Sequence, residues 1–179
     1  SNKILKKMNR SHTREEYFKL IDQIREKIPN CGVSQDIIAG FPGETNKDHK
    51  DTITLMEYVK YDFGFMFAYS ERPGTLASRK IEDNVPLEIK KNRLHEIISL
   101  QQRHSNFRTK RFLNKTVCVL IEKESKKSTA EWSGRTSQNT VVVFPKENYL
   151  IGDFVDVKIH KVTSATLIGV AVKNSKQVN

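Results

Sequence analysis

The string Asp36-Ile37-Ile38-Ala39-Gly40-Phe41-Pro42-Gly43-Glu44-Thr45 sets a glycine-rich turn behind a short apolar run. Parallel α/β folds and barrels place their ligand loops there, at the C-terminal ends of strands. Tyr69-Ser70-Glu71-Arg72-Pro73-Gly74-Thr75 follows the next apolar run in the equivalent place, and two such strand ends together point to a shared pocket. The first string has neither the Gly-Lys-Ser/Thr ending of a phosphate loop nor the spacing of a dinucleotide fingerprint, which speaks against a nucleoside triphosphate or dinucleotide. Taken alone, an ordinary strand-to-helix turn explains it as well. Glu44 is read as a carboxylate at a helix N-terminus, favoured by the helix dipole. The two cysteines, Cys31 and Cys118, are too far apart in sequence to form a metal or redox pair and are expected as buried thiols. None of His12, His49, His95, His104 and His160 has ligand spacing, so each is expected at the surface and no metal site is expected.

Lys and Arg number 31 against 21 Asp and Glu, a formal net charge of +10, spread over both halves of the chain. Nucleic acid is the first partner such a balance suggests, because phosphate neutralisation supplies most non-specific affinity. With 37% hydrophobic and 29% charged residues in 179, the chain reads as one or two globular domains. No run approaches the ~20 apolar residues of a membrane span. The basic first residues lead into no apolar core, so neither a membrane segment nor a secretory signal is expected, and the expected location is cytoplasmic.

Two periodicities set the elements that must position these residues. Thr13-Arg14-Glu15-Glu16 has the form of a capping box, and Tyr17, Leu20, Ile21, Ile24 and Ile28 follow at helical spacing until Pro29. Val33 to Ala39 reads as a strand, and Thr45-Asn46-Lys47-Asp48 caps a helix carrying Ile53, Met56 and Val59. The run from Phe63 to Tyr69 does not alternate and predicts a strand covered on both faces. A long amphipathic helix then runs from Pro86 through Leu94, Ile97, Ile98 and Gln101 toward Phe107. The order is α-β-α-β-α. From Phe112 the period becomes two, with strands expected over Thr116–Glu122, Asn139–Phe144, Phe154–His160 and Thr166–Val172. Closing them into a small barrel avoids open edges. The tail after Lys173 is expected to fray. Two strands are too few for a complete parallel sheet, so the first part reads as a slice whose free edge invites self-association.

Asn2-Lys3-Ile4-Leu5-Lys6-Lys7-Met8-Asn9-Arg10, Thr13-Arg14-Glu15-Glu16-Tyr17, Asp36–Thr45 and Tyr69–Thr75, in that order, closely resemble the second half of the barrel of radical S-adenosylmethionine methylthiotransferases. Phe112–Val172 resembles the TRAM module that ends these enzymes, through Glu124-Ser125-Lys126-Lys127, Ser133-Gly134-Arg135-Thr136, Asn139 and Val142. Asp62-Phe63-Gly64-Phe65-Met66-Phe67 and Asn84-Val85-Pro86 look most like the branch acting on isopentenyl-adenosine beside the tRNA anticodon. The branches acting on threonylcarbamoyl-adenosine or a ribosomal-protein aspartate come second.

The resemblance implies an α/β fold: a partial TIM-like radical S-adenosylmethionine barrel over residues 1–111, a small all-β TRAM or OB-like barrel over 112–175, and a tail over 176–179. It implies a transferase that adds a methylthio group to carbon 2 of adenine, using S-adenosylmethionine and two [4Fe-4S] clusters. The Cys-x-x-x-Cys-x-x-Cys motif that would hold the radical cluster is nowhere in these residues. The chain is therefore expected to be a piece of a larger enzyme, inert and free of bound cofactor by itself, without its N-terminal cluster-binding portion. Arg10, Asp36, Ile38, Gly40, Tyr69 and Ser70 are the implied cofactor-binding residues. Lys126, Lys127, Arg135 and Lys158 would track an RNA backbone with Asn139, and Trp132 would stack on a base or else plug the barrel. The implied partner is the tRNA anticodon arm. A stand-alone basic RNA-binding protein is the rival reading from another class.

Overall fold

The computed structural model of the chain describes residues 1–172, so the tail expected after Lys173 lies outside the described residues. Those residues divide into two compact units, with the division between His104 and Ser105.

The first unit contains the helices α1 (Asn2–Lys7), α2 (Arg14–Lys27), α3 (Asn46–Val59), α4 (Leu76–Lys80) and most of α5 (Leu87–Thr109). Between them lie the strands β1 (Ser34–Ala39) and β2 (Phe63–Ala68). The expected capping box of Thr13 with Glu16 is present, and the expected cap at Thr45 is a capping box too, with Asp48. Each satisfies two backbone donors that a helix start otherwise leaves unpaired. The short helices α1 and α4 were not expected. Their five or six residues are too few to show a helical period; α1 is anchored by buried Ile4, and α4 by the Thr75 cap.

Strands β1 and β2 pair in parallel, with Asp36 beside Phe65 and Ile38 beside Phe67. One face of this sheet joins a core of Ile21, Ala39, Ile53, Met56, Val59, Tyr61, Ile97 and Leu100, with Ile37 and Met66 packed against it. The other face is open, which corrects the expected strand covered on both sides: Phe65 is 60% and Phe67 56% exposed. The apolar run hid a true alternation because apolar residues stand on both faces, Phe65 and Phe67 on the open one and Met66 and Ala68 on the other.

The second unit continues through a single 3-10 turn (Lys110–Phe112) into β3 (Thr116–Ser125), β4 (Ser128–Arg135), β5 (Val141–Pro145), β6 (Phe154–Val162) and β7 (Thr166–Ala171). These close into a barrel of order β3-β4-β5-β7-β6 in which only the β5–β7 pair is parallel. Val119, Ile121, Trp132, Val142, Phe144, Val155, Val157, Ile159 and Leu167 fill its interior. The expected barrel is present with five strands rather than four. The missed strand, β4, reads Ser-Thr-Ala-Glu-Trp-Ser-Gly-Arg and has almost no apolar alternation. Pairing on both edges holds it instead. A Cβ at its Gly134 would run into the Leu120 carbonyl oxygen and lie 2.7 Å from Val119 Cγ1, so close strand approach requires glycine there.

Expectations about four single residues are corrected. Cys118 is exposed and Cys31 only half-buried, because Cys118 falls on the outer face of β3 opposite Asp156. His49 is buried with its Nε2 2.8 Å from Glu96 Oε2, and His104 is buried too. Both sit on core-facing turns of long helices, where the ring's apolar body packs.

Candidate functional site

Position Gly40 ends β1 at φ +72°, and a Cβ there would strike the Lys90 side chain, so the turn needs glycine twice over. The loop that follows is braced from several sides. Glu44, buried, accepts the Gly40 N–H at 3.0 Å and pairs with buried Arg93 of α5 at 2.9 Å. Arg93 also donates to the Glu44 carbonyl oxygen and to Asn46 Oδ1. Asn84 accepts from the Gly43 N–H at 2.8 Å, and Lys3 donates to the Gly43 carbonyl oxygen at 3.1 Å. Glu44 is therefore a cross-tie between a strand end and a helix, and not only a carboxylate at a helix start. Its partner lies 49 residues away, a separation no local pattern reveals.

Asp48 shares this network. It caps α3, accepts from Ser1 Oγ at 2.6 Å and pairs with Lys3 at 3.2 Å. Burial by itself would raise its pKa, but the hydrogen bonds from Ser1, Thr45 and Lys3 outweigh burial and hold the carboxyl below the usual range.

A groove of about 440 Å³ follows β1 on the side away from β2. Ile4 and Met8 of α1, Arg10, Tyr17 of α2, and Asp36 and Ile38 of β1 help to line it. Apolar walls and both signs of charge thus meet in one cleft, which suits a small ligand with apolar and charged parts. At its base the Tyr61 hydroxyl donates to Tyr17 Oη at 2.9 Å. Burial, then that bond, push the Tyr61 hydroxyl above its ordinary range, so it stays neutral. Gln101 donates to the Tyr61 carbonyl oxygen and accepts from Gln35, tying β1 to α5.

Of the six expected cofactor-binding residues, the structure gathers Arg10, Asp36 and Ile38 on this groove, Arg10 and Asp36 exposed and Ile38 43% exposed. Gly40, Tyr69 and Ser70 do not line it. Tyr69 instead packs edge-on against Phe41 with ring centroids 5.2 Å apart, beneath Lys90 Nζ at 5.1 Å. Lys90 is itself buried and paired with Asp83. Ser70 is exposed. Sequence reading missed Arg93 and Lys90; the long helix expected there placed both on α5, but nothing in it named their partners.

In the barrel, Lys126 and Lys127 are exposed in the turn between β3 and β4. Arg135 lies at the far end of β4, where its guanidinium donates to Asn139 Oδ1 at 2.8 Å, to the Asn139 carbonyl oxygen at 3.0 Å and to Glu122 at 3.3 Å. Asn139 holds φ +62° to make this contact. Lys158 is exposed opposite Thr116, with its Nζ on the Asn114 carbonyl oxygen. Arg135 and Asn139 are brought together; the lysines stand at opposite ends of β3, which spans roughly 30 Å at ~3.3 Å per residue. Trp132 is corrected: it is 5% exposed in the core, with Lys146 Nζ 4.4 Å over its ring, so it plugs the barrel and offers no face to a base.

Among the described residues no three His, Cys, Asp or Glu side chains stand where they would hold a metal ion, and no helix is long and apolar enough to cross a membrane. Residues 1–56 match the model of the radical SAM superfamily, and residues 110–172 that of the TRAM domain. Three relatives share the name tRNA-2-methylthio-N(6)-dimethylallyladenosine synthase. That of Christiangramia forsetii is 68% identical over 94% of this chain, that of Flavobacterium psychrophilum 64% over 98%, and that of Bacteroides fragilis 52% over 94%. The matched regions are 35%, 37% and 37% of those proteins, so the chain spans little more than a third of their length. A radical SAM match and a TRAM match thus lie in one chain, and its similarity to the tRNA-2-methylthio-N(6)-dimethylallyladenosine synthases runs through both.

Proposed function

We propose that this chain is part of a transferase that adds a methylthio group to carbon 2 of dimethylallyl-adenosine (isopentenyl-adenosine) beside the anticodon of tRNA. Residues 1–111 are assigned to the second half of a radical SAM barrel and 112–175 to an RNA-binding TRAM domain. The observation that carries the reading is the 68% identity over 169 residues that cross both parts. The rival reading of a stand-alone RNA-binding protein leaves the radical SAM match over residues 1–56 without a purpose. The relatives' shared name favours dimethylallyl-adenosine over the sister substrates.

When bound, S-adenosylmethionine and two [4Fe-4S] clusters supply the radical and sulfur chemistry. The groove along β1 fits the first of these. The Arg10 guanidinium would hold its carboxylate, Asp36 would accept from its sugar hydroxyls, and Ile38 would give its base an apolar wall. Gly40 lets the chain turn against Lys90 at the end of β1, while Tyr69 and Ser70 shape the neighbouring loop. Cluster ligation does not fit these residues: the cysteines are only two, and one lies in each unit. The clusters are assigned to a cluster-binding portion of the protein outside these residues, and the setting to the cytoplasm, where tRNA is.

Grafting these 179 residues in place of the matching segment of the Christiangramia forsetii relative tests the reading. Nucleoside mass spectrometry is expected to find the 2-methylthio product on dimethylallyl-adenosine, with Asp36→Ala lowering its yield at least tenfold and leaving tRNA affinity unchanged. A graft that folds, binds tRNA and forms no methylthio product would overturn the assignment.

A further inference from the structure

The large aromatic side chain Phe154 opens β6 yet is 73% exposed. Its backbone is fixed on both sides: it pairs with Leu120 of β3, and the turn before it is pinned by Gly152 N–H to the Ile121 carbonyl oxygen and Ile121 N–H to the Asp153 carbonyl oxygen, each 2.9 Å. Leu120 pairs in turn with Arg135 of β4. Phe154, Leu120 and Arg135 therefore form one row across three strands, about 10 Å from end to end at two strand spacings. Asn139 and Glu122 hold the guanidinium of Arg135 but leave its side chain 41% exposed.

We propose that Phe154 is the platform on which an unpaired RNA base stacks, with Arg135 on the adjoining phosphate. This rests on the reading of the barrel as an RNA-binding domain and adds the site on which a base is held. A flat ring fixed on a rigid strand loses little conformational freedom on binding. Leu120 gives the row an apolar floor, and an arginine stands at its end. With Trp132 buried, Phe154 is an exposed ring of the barrel that shares a cross-strand row with Arg135. Asp153 and Asp156 border the ring, and Lys158 follows on the same face of β6; basic residues outnumber acidic ones across the barrel as a whole. Leu150 and Ile151, 73% and 61% exposed, widen the apolar surface beside the ring. The basic excess of the barrel as a whole complements a phosphate backbone more than it does a second copy of the same barrel.

Fluorescence anisotropy of the 179-residue chain with a labelled single-stranded RNA and a labelled anticodon stem-loop tests the site. Phe154→Ala is expected to weaken binding by ~5- to 150-fold, the range for loss of one base–aromatic stack. The salt dependence should stay unchanged, Phe154→Tyr should restore affinity to within about twofold, and a duplex of equal length should compete poorly. Unchanged affinity in Phe154→Ala overturns the platform, as does failure of Phe154→Tyr to restore it or equal competition by duplex. Loss of self-association with intact RNA binding would make the face a protein interface and overturn it as well. If the unaltered chain binds no RNA, the reading of the barrel fails and this inference falls with it; intact binding that ignores Phe154 fails the inference alone.

Discussion

Glu44 and Arg93 bury opposite charges, with side chains 5% and 8% exposed, so removing one leaves the other in a low dielectric. Glu44→Ala is expected to cost about 3 kcal/mol or more in urea denaturation, in the range for a broken buried pair. The double variant Glu44→Ala/Arg93→Met should lose clearly less than the sum of the two single changes, and strict additivity would show that the pair is not coupled. Titration of two other residues should appear in stability. Burial, aided by Arg103 and Lys60, lowers the pKa of His104 from 6.5, so the unfolded chain takes up this proton first. Its contribution is whole above pH 6.5 and declines as pH falls below that value. The depressed carboxyl of Asp48 contributes fully above 3.8, its unfolded value, and that contribution is lost as pH falls further. The urea midpoint should therefore drop in two stages on acidification, with His104→Gln removing the first. A wild-type midpoint that stays flat from pH 7 to 5 would contradict the role given to His104.

At the scale of elements, the two sheets differ in how their edges are satisfied. Among the described residues β1 pairs with β2 alone, whereas every strand of the barrel has two neighbours. Amide exchange should therefore be markedly faster in β1 than in β3, and equal protection of the two would show that the β1 edge is covered by association between chains. The barrel in turn depends on the close approach of β3 and β4 at Gly134. Gly134→Ala is expected to destabilise it by about 1–3 kcal/mol through overpacking, seen as a lower melting temperature of the barrel. An unchanged melting temperature would mean that the strands separate there at little cost.

For the whole molecule, the net charge of +10 is spread over both units, and the proposed RNA contacts lie along the barrel rather than in one patch. The triple variant Lys126→Ala/Lys127→Ala/Arg135→Ala should bind tRNA more weakly and lower the log–log salt slope by roughly two to three units, near one per lost phosphate contact. Arg135 already shares its charge with Glu122 at 3.3 Å, which places the expected fall toward the lower value. Equal slopes for the two proteins would remove these residues from the interface.

Capping boxes, the helical period of α2 and α3 and the period-two pattern of β3, β6 and β7 were legible in the sequence, because each arises from residues within a few positions of one another. The Asp36–Thr45 and Tyr69–Thr75 strings likewise marked the strand ends. What depended on distant partners was not legible. Strand β4 carries too little apolar alternation to show itself and is held by its neighbours. Burial of Trp132 follows from its inward register rather than from its type, and an aromatic beside lysines reads the same in either position. The open face of Phe65 and Phe67 was hidden because apolar residues fill both faces of β2, with Met66 on the covered side. The Glu44–Arg93 tie joins residues 49 positions apart. Local patterns in the chain settled which segments become helix or strand; only tertiary packing decided which side chains face inward and which charges meet, because those depend on contacts between segments that sequence spacing does not record.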